Sequence, residues 1–220
     1  MIEELLPAEV ATAETFDDPA EARLFDAEAA EIAEAVTKRR REFTSGRWCA
    51  HRAMRELGVE PVALLRGERG APVWPSGLVG SITHCADYRG AVVARKGEVR
   101  SVGIDAETHQ PLPEGVLDVV SRSEEREHLA ELGSRDPGAR WDRLLFSCKE
   151  SVYKTWFPVT GEWLGFEDAA LEFAPAGGAA GSATGTFTAR LHKTAAGLTG
   201  FTGRWMIRDG LVLSAIALRA

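Results

Sequence analysis

The sequence predicts an α+β protein of two pseudo-symmetric α/β halves, each a small, mainly antiparallel sheet packed with a long helix. A groove between the halves is the expected place for a site. Three observations carry this reading. Residues Val99–Glu107 (V-R-S-V-G-I-D-A-E) alternate in strand fashion. Val102, Ile104 and Ala106 share one face, and Ser101, Gly103, Asp105 and Glu107 share the other. Trp141, Leu144, Leu145, Cys148, Val152 and Trp156 follow the spacing of a buried helical stripe. Residues 90–107 also overlay on 203–220 without a gap, matching at Gly90/Gly203, Arg95/Arg208, Gly97/Gly210, Val99/Val212 and Ser101/Ser214. The overlay predicts two related hairpins. Asp105 and Glu107 fall opposite Leu218 and Ala220, so one copy alone carries carboxylates and a single site follows. The halves are expected at 1–108 and 109–220.

Composition narrows the possibilities. The chain has 220 residues, 45% hydrophobic and 27% charged, enough to bury a substantial core. Its net charge of −7 argues against nonspecific binding to nucleic acid or to an anionic membrane. No apolar run reaches membrane-spanning length, and Met1-Ile-Glu-Glu-Leu-Leu lacks the basic start of a secretory signal. Cys49, Cys85 and Cys148 are odd in number and widely spaced, which fits neither a disulfide framework nor a zinc site. A reduced cytoplasm is the expected compartment.

In chain order, Asp18-Pro19 predicts a helix start, and an Ala- and Glu-rich run continues it to about Val36. From Lys38 to Arg55 seven Lys or Arg face one acid, Glu42. That run reads equally as a solvated helix face or as an anion cradle built from arginine forks. Gly58 is expected to end the helix. Arg66–Pro75 is turn-rich, Gly80–His84 a short strand, and Gly90–Arg95 a strand that Lys96-Gly97 turns back into Val99–Glu107. Thr108–Gly115, with two prolines, reads as the linker between halves. Ser121 and Glu124 form a capping-box pattern for a helix through about Leu132. The next helix should run from Trp141 to Phe157 and stop at Pro158. Ala174–Thr186 reads as a mobile, low-complexity loop. Strands are expected at Phe187–Leu191, Thr202–Ile207 and Leu211–Ala217, with a hairpin turn at Asp209-Gly210.

Several side chains admit two readings. Asp105 and Glu107 are either solvated acids at a strand end or a seat for a hard cation such as Mg²⁺. Glu150 and Lys154, four apart on one helix face, are either a surface ion pair or a carboxylate and an ammonium aimed at a metal and a phosphate. Thr83 and His84 could donate to a phosphate, or His84 could be a satisfied structural residue. Glu125 is either a further acid for the site or a solvated helix residue.

G-I-D-A-E followed some forty residues later by F-S-C-K-E-S-V-Y-K (Phe146–Lys154) resembles the signature of the 4'-phosphopantetheinyl transferases. The Arg66–Pro75 loop, the Gly80–Cys85 segment and Trp163-Leu-Gly-Phe resemble further family segments. The likeness is strongest to the two-halved monomeric type and, within it, to actinobacterial siderophore-type members. Thr83 stands where many relatives carry Ser, and Ala106 replaces a bulkier residue of some. The resemblance implies a Mg²⁺-dependent enzyme. It would move phosphopantetheine from coenzyme A to a serine of an apo acyl or peptidyl carrier protein and release adenosine 3',5'-bisphosphate. Such enzymes serve polyketide, nonribosomal-peptide and siderophore assembly lines. By the same resemblance, Asp105, Glu107 and Glu150 would hold Mg²⁺, and Glu150 would receive the serine proton, directly or through a metal-bound water. Lys154 and Lys149 would face the diphosphate, and Arg39, Arg47, Arg66, Thr83, His84 and, more weakly, Arg69 would contact coenzyme A. Rival readings are a Mg²⁺-dependent nucleotide phosphohydrolase and a non-catalytic coenzyme A-binding module.

Overall fold

A computed structural model of the chain describes residues 1–177 and 182–220. The first half contains β1 (Val10–Thr15), α1 (Asp26–Glu31), α2 (Thr37–Glu56), β2 (Leu78–Cys85) and β3 (Tyr88–Arg95). After β4 (Val99–Thr108) come α3 (Val116–Val120), α4 (Ser123–Arg135) and α5 (Trp141–Thr160). The chain ends in β5 (Ala169–Gly177), β6 (Ala183–Ala195), β7 (Leu198–Arg208) and β8 (Leu211–Arg219). Two antiparallel sheets result, ordered β1-β3-β2 and β4-β8-β7-β6-β5. The α+β class stands as expected, in two antiparallel sheets. No helix among the described residues is long and apolar enough to cross a membrane.

Each sheet is backed by one long helix. Cys49, Ala50, Ala53 and Met54 of α2 bury against Ala13, Leu78, Ala91 and Val93. The whole predicted stripe of α5 is buried against Phe173, Phe187, Trp205, Val212 and Ile216. Trp156 in that stripe is fully buried, and truncating it to Ala would cost about 3–5 kcal/mol. A third cluster lies between the sheets, where Val79, Tyr88 and Val92 meet Val102, Ile104, Ala106 and Leu213. These three β4 side chains are the apolar face expected from the alternation.

The expected first hairpin does not form. Residues 211–215 and 204–208 do make a β7–β8 ladder, with Asp209 and Gly210 at φ +52° and +76° in the turn, as a primed two-residue turn requires. Strand β3, however, has both edges taken, one by β1 and the other by β2. Strand β1 was absent from the sequence reading. With no free edge on β3, β4 turns away and pairs with β8 instead.

The other edge of β4 lies along β2, and the junction is made by side chains. Ser81 Oγ accepts the Ile104 N–H at 3.2 Å, and Thr83 Oγ1 accepts the Ala106 N–H at 3.0 Å. Two alternate hydroxyls thus stand where strand carbonyls would be, satisfying donors that burial would otherwise orphan.

Several element limits differ from expectation. Asp18 starts no helix; its carboxylate instead accepts from Ser45 Oγ at 2.8 Å and pairs with Arg89 at 3.3 Å. The Ala- and Glu-rich run yields only the six residues of α1. Helix α4 begins one residue late, with Arg122 rather than Ser121 at the cap and Glu125 rather than Glu124 accepting its N–H, at 2.7 Å. Helix α5 runs through Pro158 to Thr160 and ends at Gly161, φ +67°; Pro158 gives up its own bond to the Lys154 carbonyl, and the helix goes on for only two residues before the glycine cap. The predicted Ala174–Thr186 loop is largely strand, with Ala174 opposite Thr186 and Pro175 opposite Gly185. Residues 178–181 of that stretch lie outside the described residues. Gly58 does end α2, at φ +74°.

Candidate active site

The site begins at Gly103. A Cβ there would collide with Ser151 O and Thr155 Oγ1 of α5, so only glycine lets helix and strand approach this closely. Ser101 Oγ adds a 2.8 Å hydrogen bond to Thr155 O. The space above the strand that the sequence leaves open is therefore filled by α5. This approach carries Glu150 and Lys154 to Asp105, two residues further along the strand.

Lys154 Nζ donates to Asp105 Oδ1 at 2.7 Å. Asp105 is 4% exposed, and Thr83 Oγ1 donates to the same oxygen at 3.3 Å. Its other oxygen, Oδ2, is buried with no hydrogen-bond partner among the described residues. An orphaned buried carboxylate oxygen is costly, and such a position calls for a ligand. Burial pushes the Glu150 carboxyl above its ordinary range, and the Asp105 charge pushes it further, against the pull of Lys154. Glu107 is raised for the same two reasons, against Arg143. Arg143 Nη1 donates to Glu107 Oε2 at 2.9 Å, while its Nε and Nη2 donate to the Gln110 and Pro111 carbonyls. The linker after β4 is thereby tied to α5.

Like-charge strain between Asp105 and the two glutamates, together with a buried lone pair, fits a divalent cation. Among the described residues, no three His, Cys, Asp or Glu side chains already group closely enough to hold one. One Asp105 oxygen is occupied by Lys154 and one Glu107 oxygen by Arg143.

Beside the acids lies a cavity of about 230 Å³ lined by Arg39, Glu42, Arg47, Arg66, Thr83, His84, Asp105 and Lys154, among others. Arg39 Nη1 lies 3.2 Å from His84 Nε2. Arginine can only donate, so Nε2 is the acceptor and the imidazole is neutral. Burial lowers the His84 pKa; Glu42 opposes this, and Arg39 and Lys154 reinforce it. Arg47 is buried, its guanidinium 4.4 Å above the Phe43 ring. The basic run on α2 therefore lines a cavity in part, through Arg39 and Arg47, rather than facing solvent throughout.

Thr83 is 2% exposed and is engaged with Ala106 and Asp105, which makes it a joint between the two sheets as well as a cavity wall. Arg69 lies outside this cavity. It adopts φ +53°, stacks 5.0 Å from the Trp163 ring and lines a neighbouring cavity of about 490 Å³ with Trp74, Glu150, Tyr153, Lys154 and Phe157. The two cavities share Gly70, Pro72, Ile82 and Lys154, so one groove passes over the acids.

Lys149 is not brought to this cluster. Its ammonium is 3% exposed by residue and donates to Glu125 Oε2 at 2.8 Å, Phe166 O at 2.7 Å and Ala169 O at 3.0 Å. Glu125 is neither solvated nor near the acids. Besides Lys149 it accepts the Arg122 and Leu171 N–H groups at 2.7 and 2.8 Å. Helix sense explains the placement of Lys149: one position from Glu150 turns it about 100° away from the groove. Glu42, the one acid in the basic run, faces His84, and Glu28, for which the sequence carries no signal, lies behind Arg47.

Comparison with known proteins identifies the family. A family model described as the 4'-phosphopantetheinyl transferase N-terminal domain matches residues 27–94. A second, described as the 4'-phosphopantetheinyl transferase superfamily, matches residues 101–205. The chain is 50% identical over 223 residues to 4'-phosphopantetheinyl transferase Npt of Nocardia iowensis, covering 99% of each chain. It is 48% identical over 228 residues to 4'-phosphopantetheinyl transferase PptT of Mycobacterium tuberculosis, covering 99% of this chain and 98% of that one. It is 40% identical over 126 residues to enterobactin synthase component D of Salmonella typhi, covering 54% and 49%.

Proposed function

This chain belongs to the 4'-phosphopantetheinyl transferases, and from that premise we propose how its residues divide the work. The enzyme transfers 4'-phosphopantetheine from coenzyme A to a serine of an apo carrier protein, releasing adenosine 3',5'-bisphosphate. The phosphohydrolase and the non-catalytic module give way to this activity. The observation that carries the residue assignment is the pairing of Lys154 with one oxygen of a buried Asp105 whose other oxygen has no partner.

Asp105, Glu150 and the free oxygen of Glu107 would hold Mg²⁺, which would supply positive charge to the diphosphate as the bond to the leaving phosphate breaks. Lys154, at the junction of the two cavities, faces the diphosphate and neutralises charge from the protein side. Glu150 takes the serine hydroxyl proton at a carboxylate oxygen. Its raised pKa brings it closer to the working pH, which favours proton transfer. Arg39, Arg47, Arg66 and His84 receive the 3'-phosphate, since planar arginine forks suit a phosphate dianion. A neutral His84 can donate from Nδ1 or take up a proton when the anion arrives. Thr83 holds Asp105 in place from the cavity wall, and Arg69 borders the pantetheine arm.

The proposed acceptors are carrier proteins of siderophore, polyketide and nonribosomal-peptide assembly, met by a monomer in the cytoplasm; halves at 1–108 and 109–220 remain the proposed division. The test is intact-mass spectrometry of an apo carrier protein incubated with coenzyme A, Mg²⁺ and the enzyme. A gain of one phosphopantetheinyl group that disappears with Asp105→Ala or Glu150→Ala supports the assignment. Full activity in either variant overturns it.

A further inference from the structure

We infer that Glu28, on the short helix α1, is a positioning residue that fixes the 3'-phosphate arginines from behind, with Glu31 as its outer companion. The inference rests on the placing of Arg47 and Arg66 at that phosphate under the reading above.

Glu28 is fully buried and makes no contact with the groove. Its Oε1 accepts the Leu64 N–H at 2.9 Å and lies 3.0 Å from His51 Nε2; its Oε2 accepts the Phe25 N–H at 3.0 Å. Arg47 Nε is 3.9 Å from the same Oε1 and donates to Leu64 O at 2.8 Å. The Leu64 residue is therefore held at both its N–H and its carbonyl, by Glu28 and by Arg47. Two residues further, the Arg66 N–H donates to both Glu31 oxygens at 2.9 and 3.1 Å, and Arg66 Nη2 donates to Glu31 O at 2.8 Å. Glu28 and Glu31 are three apart on one helix, so one turn of α1 holds Arg47 and the chain that carries Arg66.

The electrostatics agree. A buried guanidinium needs a counter-charge or it is expelled. Burial alone would raise the Glu28 carboxyl, but the hydrogen bonds from His51, Leu64 and Phe25 outweigh it and leave the pKa below its ordinary value. The carboxylate thus stays ionised behind Arg47. The terminal nitrogens of Arg47 are left for the cavity, because its Nε is committed to Leu64 O. Two opposed consequences can be separated. If Glu28 acted only through its charge, removing that charge would make the cavity more positive and tighten anion binding. If it acts by positioning, removal releases Arg47 and Leu64 and weakens binding.

The experiment compares coenzyme A with 3'-dephospho-coenzyme A as donor, for wild type, Glu28→Gln and Glu31→Gln, with thermal melts of each. Wild type should prefer coenzyme A. Glu28→Gln should raise KM for coenzyme A about tenfold, with kcat and the KM for the dephospho donor nearly unchanged. Glu31→Gln, at the more exposed site, should shift the same ratio in the same sense by about threefold, and it carries the test if Glu28→Gln fails to fold. A KM for coenzyme A that is unchanged or lower in folded variants overturns the inference, as does an equal rise for both donors. Wild type that does not distinguish the donors overturns the arginine assignment instead.

Discussion

Two lysines five residues apart on α5 each meet a carboxylate at almost the same distance. Lys149 lies 2.8 Å from Glu125 and Lys154 lies 2.7 Å from Asp105. By length the pairs cannot be told apart. By satisfaction they are opposites. Lys149 spends all three ammonium protons, and Glu125 takes two backbone N–H groups besides, so this pair ties α5, α4 and β5 together. Lys154 makes one bond, remains part exposed, and leaves Asp105 Oδ2 without a partner. The closed pair serves the fold; the open one is the pair proposed to meet substrate. Unfilled valence, rather than the presence of a salt bridge, distinguishes a site from a brace.

The comparison breaks most readily at Asp105. Asp105→Ala is expected to lower kcat/KM for coenzyme A by about 10³-fold or more while the melting temperature stays close to wild type, checked by carrier-loading kinetics alongside thermal melts. Lys149→Met should do the reverse, costing about 3–5 kcal/mol in urea unfolding because it strands a buried Glu125 and two carbonyls. Turnover per folded molecule should then be preserved. Lys154→Ala comes next, with a loss of about 10²-fold in transfer and little change in stability. Should Lys149 and Lys154 variants behave alike in both assays, the distinction between brace and site fails.

Glu150→Gln sharpens the contrast with a small gain in stability. The Glu150 carboxyl is raised in the fold, first by burial and then by Asp105. The folded state therefore binds this proton more readily than the unfolded one. Stability of the free protein gains from Glu150 protonation as pH falls through the raised value, and at neutral pH the charge works against the fold. Removing it should raise the neutral-pH melting temperature by about 1–3 °C and flatten that part of the pH profile, while transfer is lost. A lower melting temperature in Glu150→Gln would show that the acids are not strained against one another.

Much of this arrangement was legible from the residue order. The alternation in Val99–Glu107 and the stripe along Trp141–Trp156 identify which faces are buried, because side-chain periodicity is a local property. The acids, Lys154 and the arginine run were readable by chemical type and by family likeness. What the order could not show was strand partnership. Short, weakly apolar β1 (V-A-T-A-E-T) has no distinctive pattern, yet it takes the β3 edge and sends β4 to the other sheet. Lys149 illustrates the same limit: adjacency to Glu150 in sequence says nothing about a neighbour such as Glu125, which arrives from 24 residues away. Burial of Glu28 was equally hidden, since an Ala- and Glu-rich segment reads as solvated until its tertiary contacts are known.

The hydroxyl contacts from Ser81 and Thr83 to β4 have a mechanical consequence. Backbone ladders run on both sides of this line, and only side-chain atoms cross it. Any sliding of one sheet against the other must break these contacts, and it would carry Asp105 away from the arginines in the same movement. A donor molecule whose phosphates engage both banks acts as a rivet, so amide protons of Ile104 and Ala106 should exchange more slowly once it is bound.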